Sequence, residues 1–363
     1  MKKVPFSEDE LKVVGEHLCS PAWRKFRVPV KYNYPIPERE NIGAAVNHEI
    51  PMWMPTNSDT TRVESRINKD HIARAEINDL GPEQPLEEKG GPDLFGIEWE
   101  FVPVAGGSMV RPGNPRLNDA NEWYDKIVFP DIDALDWDGM AKLNAPYRND
   151  SRSVGATFQN GLFERLISFM EFENAVVAMI DDDQKQAIHD LFSKLCDMYE
   201  KFFLHYQEAI GIVNVYFHDD WGSQKDCFFS LDTCEEMLVP YMRRLTDFCH
   251  AHGMWFELHS CGKNEKLVPA MIDSGIDVWA GQPHNDKEML YEKYGDKIIL
   301  GMNLPTLPQD ASDEEIKDTV KQVVDKYAPG FPEKPVVLSG FGATQKFNEE
   351  LYRQSRQAFY KMM

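Results

Sequence analysis

The residues Trp255-Phe256-Glu257-Leu258-His259-Ser260-Cys261-Gly262 carry the densest chemistry in the chain. The run reads as a strand that stops at a glycine. Strand alternation puts Glu257, His259 and Cys261 on one face and Phe256, Leu258 and Ser260 on the other. A carboxylate, an imidazole and a thiol on one face are metal-ligand types. His259 and Cys261 can both reach one Zn²⁺ at roughly 2.0–2.3 Å. Glu257 is harder to place, because positions 257 and 261 lie about 13 Å apart along an extended strand. A neighbouring strand is the more natural source of a further ligand, and Asp219, Asp220, Gln282, His284 and Cys227 are the candidates.

A second run, His218-Asp219-Asp220-Trp221-Gly222-Ser223-Gln224, ends another strand. An imidazole beside two acids suits substrate binding or general acid–base work. His218, Asp219 and Asp220 are therefore the catalytic candidates. Later strand ends, Gly281-Gln282-Pro283-His284, Gly301-Met302-Asn303 and Ser339-Gly340-Phe341-Gly342, are polar or glycine-rich. Gln224, Gln282 and Asn303 are the cofactor-facing candidates.

These strand ends need a scaffold that gathers them. Ile188, Leu191, Phe192, Leu195, Met198, Phe202, Phe203 and Tyr206 recur at helical spacing, so a long helix covers 183–209 and stops at Gly211. Strands follow at 213 and 255, with a helix from Thr233 between them. Shorter alternation then places strands at 277, 297 and 335. With strands at 50, 97 and 153, the count reaches eight. Strand–helix alternation implies parallel strands with helical crossovers, and eight units imply a closed α/β barrel of the (β/α)8 TIM type. Such barrels keep their chemistry at the C-terminal strand ends. An open doubly wound sheet is the alternative, but no G-x-G-x-x-G follows an early strand. Residues 1–45 read as an N-terminal helical and extended segment, opened by a Ser7-x-x-Glu10 capping box. Residues 46–363 read as the barrel, with a loop-rich insertion over about 57–150.

The 363 residues carry a formal net charge of −21. That balance disfavours nucleic acid and anionic membranes. No apolar run has the roughly 18 residues of a membrane span, and the first residues lack the apolar core of a signal peptide. The six cysteines form no CxxC pair. The expectation is a cytoplasmic protein, with a homodimer as its expected assembly.

The segment from Asp220 to Asn303 resembles the uroporphyrinogen decarboxylase superfamily. Gly222-Ser223-Gln224 is similar to its G-[TS]-Q turn, and His259-Ser260-Cys261-Gly262 to its H-x-C-G element. Met271 to Asp277 and Tyr294 to Lys297 resemble the segments that follow. The resemblance covers roughly 150–345 and implies a (β/α)8 barrel. True decarboxylases of the superfamily carry R-Q-A-G-R after the first strand, whereas Thr56-Asn57-Ser58-Asp59 follows Pro55 here. The resemblance is therefore to its zinc-containing, corrinoid-dependent methyltransferases. It implies zinc, a small methylated substrate such as an aromatic methyl ether, and cobalamin carried by a partner corrinoid protein. In those enzymes a Cys near the last strand completes the set begun by His259 and Cys261. Phe341 stands there instead, and no Cys lies beyond Cys261. Glu257, or an acid of the Asp219-Asp220 pair, is expected to replace it, giving a harder metal site. The alternatives are a decarboxylase of another carboxylate, which needs no metal, and a non-catalytic barrel that binds small molecules.

Overall fold

The computed structural model describes residues 3–26, 29–104, 106–339 and 343–363. Seven parallel strands form the central sheet, in chain order: β1 (Thr60–Val63), β2 (Ser153–Phe158), β3 (Asn214–His218), β4 (Trp255–His259), β5 (Val278–Trp279), β6 (Ile299–Asn303) and β7 (Val336–Ser339). Thr56 bridges Leu338 in parallel, and the Leu338 N–H donates to the Pro55 carbonyl at 2.9 Å. The chain entering β1 thus closes the curled sheet against β7. With helices outside the strands, this is the expected TIM-barrel-type α/β fold.

Two of the eight anticipated strands differ. The apolar run at 50 forms no strand; Pro55 at its end accepts the Leu338 N–H, and the next residue, Thr56, makes the bridge. The run at 97 becomes Glu98–Val102, the middle strand of a separate antiparallel sheet with Gly90–Pro92 and Gly107–Val110. Its side chains alternate, with Trp99 buried and Glu98 and Glu100 exposed. That pattern suits a sheet with one wet face, whereas a parallel barrel strand is covered on both. Thr60–Val63, inside the region read as loop, supplies the barrel strand instead.

The long helix runs Lys185–Ile210 and ends at Gly211, whose φ of 75° is the left-handed conformation that favours glycine. The helix expected from Thr233 starts earlier. Ser230 caps it by accepting the Thr233 N–H, and it spans Leu231–Met237 before a second helix, Val239–Ala251.

The bottom of the barrel is closed by the helix Glu38–Val46. Its Ile42 and Val46 pack against Trp255, Val278, Ile299 and Val337. The N-terminal segment is fastened to the last helix, Gln345–Met362. Glu10 accepts hydrogen bonds from Tyr352 at 2.6 Å and from Arg356 at 2.9 and 3.0 Å. The region between β1 and β2 is held by Arg165, on the helix Leu162–Met170. Its guanidinium reaches Asp70 at 2.5 Å and Asp93 at 2.6 Å, with all three side chains buried. Asp93 also accepts the Phe95 and Ile97 N–H groups and the Trp99 indole N–H. Trp221 and Trp279 lie fully in the core, and Trp53 packs on Tyr34 and Tyr352.

Candidate metal and active site

Strands β3 and β4 pair in register, so His218 lies beside His259 at the C-terminal end of the barrel. Their rings sit 4.7 Å apart between centroids. The chain beyond each strand is then locked to the other. The Asp219 N–H donates to the His259 carbonyl at 3.0 Å, the Trp221 N–H to Ser260 Oγ at 2.9 Å, and the Lys263 N–H to the Ser223 carbonyl at 2.7 Å. Gly262 makes this approach feasible. Its φ is +93°, and a Cβ there would lie 2.3 Å from the backbone of Gly222. The two glycines of the G-S-Q and H-x-C-G elements are thus in contact. Asn264 and Asn285 brace the turn, Asn264 by donating to the Cys261 carbonyl at 2.7 Å and Asn285 to the Gly262 carbonyl at 2.9 Å.

This bracing gathers four donor side chains. One ligand atom from each of His218, Asp220, His259 and Cys261 lies within 4.8 Å of all the others. His259 Nε2 is 3.2 Å from Cys261 Sγ, and His218 Nε2 is 3.9 Å from Asp220 Oδ1. Asp220 Oδ1 accepts the Cys261 N–H at 2.6 Å, and Gln282 Nε2 donates to Cys261 Sγ at 3.2 Å. Two imidazoles, a thiol and a carboxylate at this separation match the donor types of a zinc site.

An outer layer orients the donors. His218 Nδ1 is 2.7 Å from Glu164 Oε2, and Glu164 Oε1 accepts from Arg74 at 2.8 Å. A metal-binding imidazole commonly gives its second nitrogen to a carboxylate in this way. Burial alone would depress His218, but the Glu164 carboxylate outweighs it and holds the imidazole well above its ordinary value. Burial likewise opposes ionisation of Glu164, yet Arg74 and His218 hold its carboxyl far below the usual range. Burial, with the neighbouring charge of His218, pushes His259 down to about 3. Burial also raises the Cys261 thiol.

The other anticipated residues lie elsewhere. Glu257 is outside the donor group, one strand repeat deeper, with its carboxylate 2.6 Å from Arg62 Nη2. Arg62 in turn lies over the Tyr216 ring at 3.6 Å. The i, i+4 spacing along an extended strand leaves Glu257 on the same face but too far down to join the donors. Asp219 points away from Asp220 and is fully buried. It accepts the Phe163 N–H at 3.1 Å, the Glu164 N–H at 2.8 Å and the Trp221 indole N–H at 2.9 Å, so it caps the helix Leu162–Met170. Burial and the Glu164 charge push it up to about 7 against those donors. It cannot touch a substrate from there. Gln224 is exposed, and so is His284. Cys227 donates to the Lys263 carbonyl, outside the donor group. Asn303 accepts from Lys287 at 3.1 Å. The anticipated Gly340-Phe341-Gly342 turn lies outside the described residues.

Sequence reading missed Glu164, Arg74 and Arg62. Glu164 resembles any acid in the first turn of a helix, and only the docking of that turn against the end of β3, through the Gly161 N–H to the His218 carbonyl and the Asp219 cap, turns it toward His218.

A barrel with donor side chains at the C-terminal strand ends has the general layout of a TIM-barrel active site. The profile of the Uroporphyrinogen decarboxylase (URO-D) family matches residues 160–356, more than half of the chain, and the chain belongs to that family. It is 26% identical over 262 residues to a uroporphyrinogen decarboxylase of Methylococcus capsulatus, covering 66% of this chain and 67% of that protein. Among solved structures it is similar to a methyltransferase from Methanosarcina mazei, with a TM-score of 0.58 and 16% identity over 90% of this chain and 99% of that one. At that identity the likeness shows the shared fold. Among the described residues no helix is long and apolar enough to cross a membrane.

Proposed function

We propose that this protein is a zinc-dependent methyltransferase that moves a methyl group from a small methyl ether, such as an aromatic one, to a corrinoid held by a second protein. The observation that carries the reading is the convergence of His218, Asp220, His259 and Cys261 within 4.8 Å at the barrel mouth. His218, His259 and Cys261 would hold the ion, since a catalytic zinc site keeps three protein ligands and one open position. His218 takes the role of third ligand that a second cysteine fills in the methyltransferases resembled here. Bound there, zinc supplies Lewis-acid polarisation of the ether oxygen.

The chain's own residues do the rest. Glu164 fixes the tautomer of His218 by accepting from Nδ1, which leaves Nε2 free to bind. Gln282 holds the Cys261 sulfur by donating to it and holds the turn by accepting the Gly262 N–H at 2.9 Å. Asp220 is partly exposed at the mouth and handles the proton of the leaving oxygen. The C–O bond of the donor would break with its electron pair left on that oxygen, which takes up a proton from Asp220, and the methyl group would leave as a cation equivalent to the electron pair that the partner's reduced corrinoid supplies. The region 57–150 is the face on which the partner docks. Six free thiols suit a reducing cytoplasm.

Decarboxylation of a porphyrin polyanion fits poorly. Arg62, below the donor group, and Arg74, beside it, are already engaged by Glu257 and Glu164. Metal analysis together with methyl transfer to a cob(I)alamin carrier tests the proposal. Chelator-sensitive transfer is expected. A wild-type protein without zinc, or His259→Ala with full activity, would reject it.

A further inference from the structure

Asn303, at the end of β6, takes no part in the donor cluster, yet it holds a lysine. Ile299 lies among the interior residues at the bottom of the barrel. Strand alternation turns Gly301 and Asn303 inward with it, so Asn303 stands at the mouth, where it is exposed. β5 is only two residues long, and β6 runs past it. The Ile299 N–H donates to the Asp277 carbonyl at 3.0 Å, on the β5 side. Gly301, two residues on, faces the same neighbour, but β5 has already ended. Its carbonyl is taken instead by Lys287 Nζ at 2.7 Å, and the same ammonium donates to Asn303 Oδ1 at 3.1 Å.

Lys287 is half-buried, and both of its acceptors are neutral. The acids next to it are turned elsewhere. Asp286 accepts the Met289 N–H at 3.0 Å as the cap of the helix Lys287–Tyr294. Glu288 accepts from Tyr327 at 2.9 Å and pairs with Lys326. Glu265 accepts the Asp286 N–H at 3.0 Å and pairs with Lys263 at 3.4 Å. Among the described residues, which include every Asp and Glu of the chain, no carboxylate pairs with Lys287. Burial alone acts on its pKa and pushes it down to about 8, so at neutral pH the ammonium is charged and unmatched. A half-buried cation without a counter-charge is costly, and a bound anion would offset that cost.

The lysine stands beside the donor cluster. Trp255 and Ile299 pack in the same bottom layer, so His259 and Asn303, each four residues further along its strand, reach similar heights. β4 and β6 flank β5, so their ends stand about 10 Å apart, two strand spacings. The segment after β5 ties the two together. Gln282 donates to the Cys261 sulfur, Asn285 donates to the Gln282 carbonyl at 3.0 Å, and the Lys287 N–H donates to the Asn285 carbonyl at 2.9 Å. A benzene ring with an ether at one end and a carboxylate at the other bridges such a span.

We propose that Lys287, seated on Gly301 and Asn303, is a specificity-determining residue whose ammonium takes a single carboxylate on the non-reacting end of the methyl donor. This assignment rests on the methyl-ether reading above, but binding alone tests it. Zinc-loaded protein is titrated calorimetrically at neutral pH with 4-methoxybenzoate, 4-methoxybenzyl alcohol and 4-methoxybenzylammonium. The benzoate is expected to bind about tenfold or more tighter than the alcohol, and the ammonium compound more weakly than either. Lys287→Gln keeps an N–H donor for Gly301 and Asn303 and removes the charge. It should bring benzoate and alcohol within about twofold of each other without changing zinc content. Lys287→Arg should retain the preference. Equal binding of benzoate and alcohol by the wild-type protein, or no binding of the benzoate, would overturn the proposal with no variant needed. So would a preference that survives in folded Lys287→Gln, since the metal would then hold the carboxylate. Methyl transfer is assayed separately. A charge preference without transfer would keep the lysine site and reject the reaction.

Discussion

Glu164 Oε2 lies 2.7 Å from His218 Nδ1, between a helix that follows β2 and the end of β3. This one contact decides which nitrogen of His218 faces the donor cluster. Replacing Glu164 with Ala should weaken zinc binding about 10- to 100-fold, the usual cost of losing such an outer partner. Competition against a chromogenic chelator measures it. Unchanged zinc affinity would remove His218 from the ligand set or Glu164 from its support.

Asp220 and Asp219 are adjacent in sequence and opposite in role. Asp220→Asn should keep zinc and slow methyl transfer by about 10²- to 10⁴-fold, as loss of a proton-handling group does. Asp219→Asn should act on stability instead, because its carboxylate accepts three N–H groups in the core. Steady-state kinetics and thermal melting of the two variants separate the roles.

The pair also shows how much of this protein could be read from its sequence. Strand alternation placed His259 and Cys261 on one face, and the His218–Asp220 run was recognisable as a strand exit. Alternation cannot say which of two neighbouring acids turns inward after the strand ends. That depended on the helix Leu162–Met170 offering its free N–H groups to Asp219. Glu257 was on the correct face, yet Arg62 claims it. Arg62 comes from Thr60–Val63, a polar strand whose residues carry no apolar alternation and so resemble a loop. Conversely, Glu98–Val102 alternates well because one of its faces is wet, and for that reason it is not a barrel strand. The N-terminal plug depends on contacts between distant parts of the chain, which local periodicity does not encode.

Arg165 bridges two buried acids, Asp70 and Asp93. Arg165→Met would leave both carboxylates in the core without a counter-charge. A loss of about 3–5 kcal/mol in urea unfolding is expected, as for other broken buried pairs. A loss under about 1 kcal/mol would mean that the region between β1 and β2 is held by its apolar contacts alone.

His17 lies 3.1 Å from Glu38 and 3.7 Å from Asp150. Burial opposes its charge, but Asp150 and Glu38 outweigh burial and hold its pKa above the ordinary value. The folded protein therefore keeps a proton on His17 that the unfolded chain releases. The stabilisation is complete below about pH 6.5 and is lost as pH rises through the folded pKa. His17→Gln should lower the melting temperature more at pH 6 than at pH 8.5. An equal drop at both would contradict a charged His17.

The central claim is that His218, His259 and Cys261 hold one zinc ion and that Glu257 does not. Elemental analysis of purified wild-type protein and single variants tests it most directly. The account predicts about one zinc per chain in wild type, Glu257→Gln and Asp220→Asn, with loss of zinc in His218→Ala, His259→Ala and Cys261→Ala. Wild-type protein without zinc after reconstitution, or full zinc retained in His218→Ala and lost from Glu257→Gln, would contradict it.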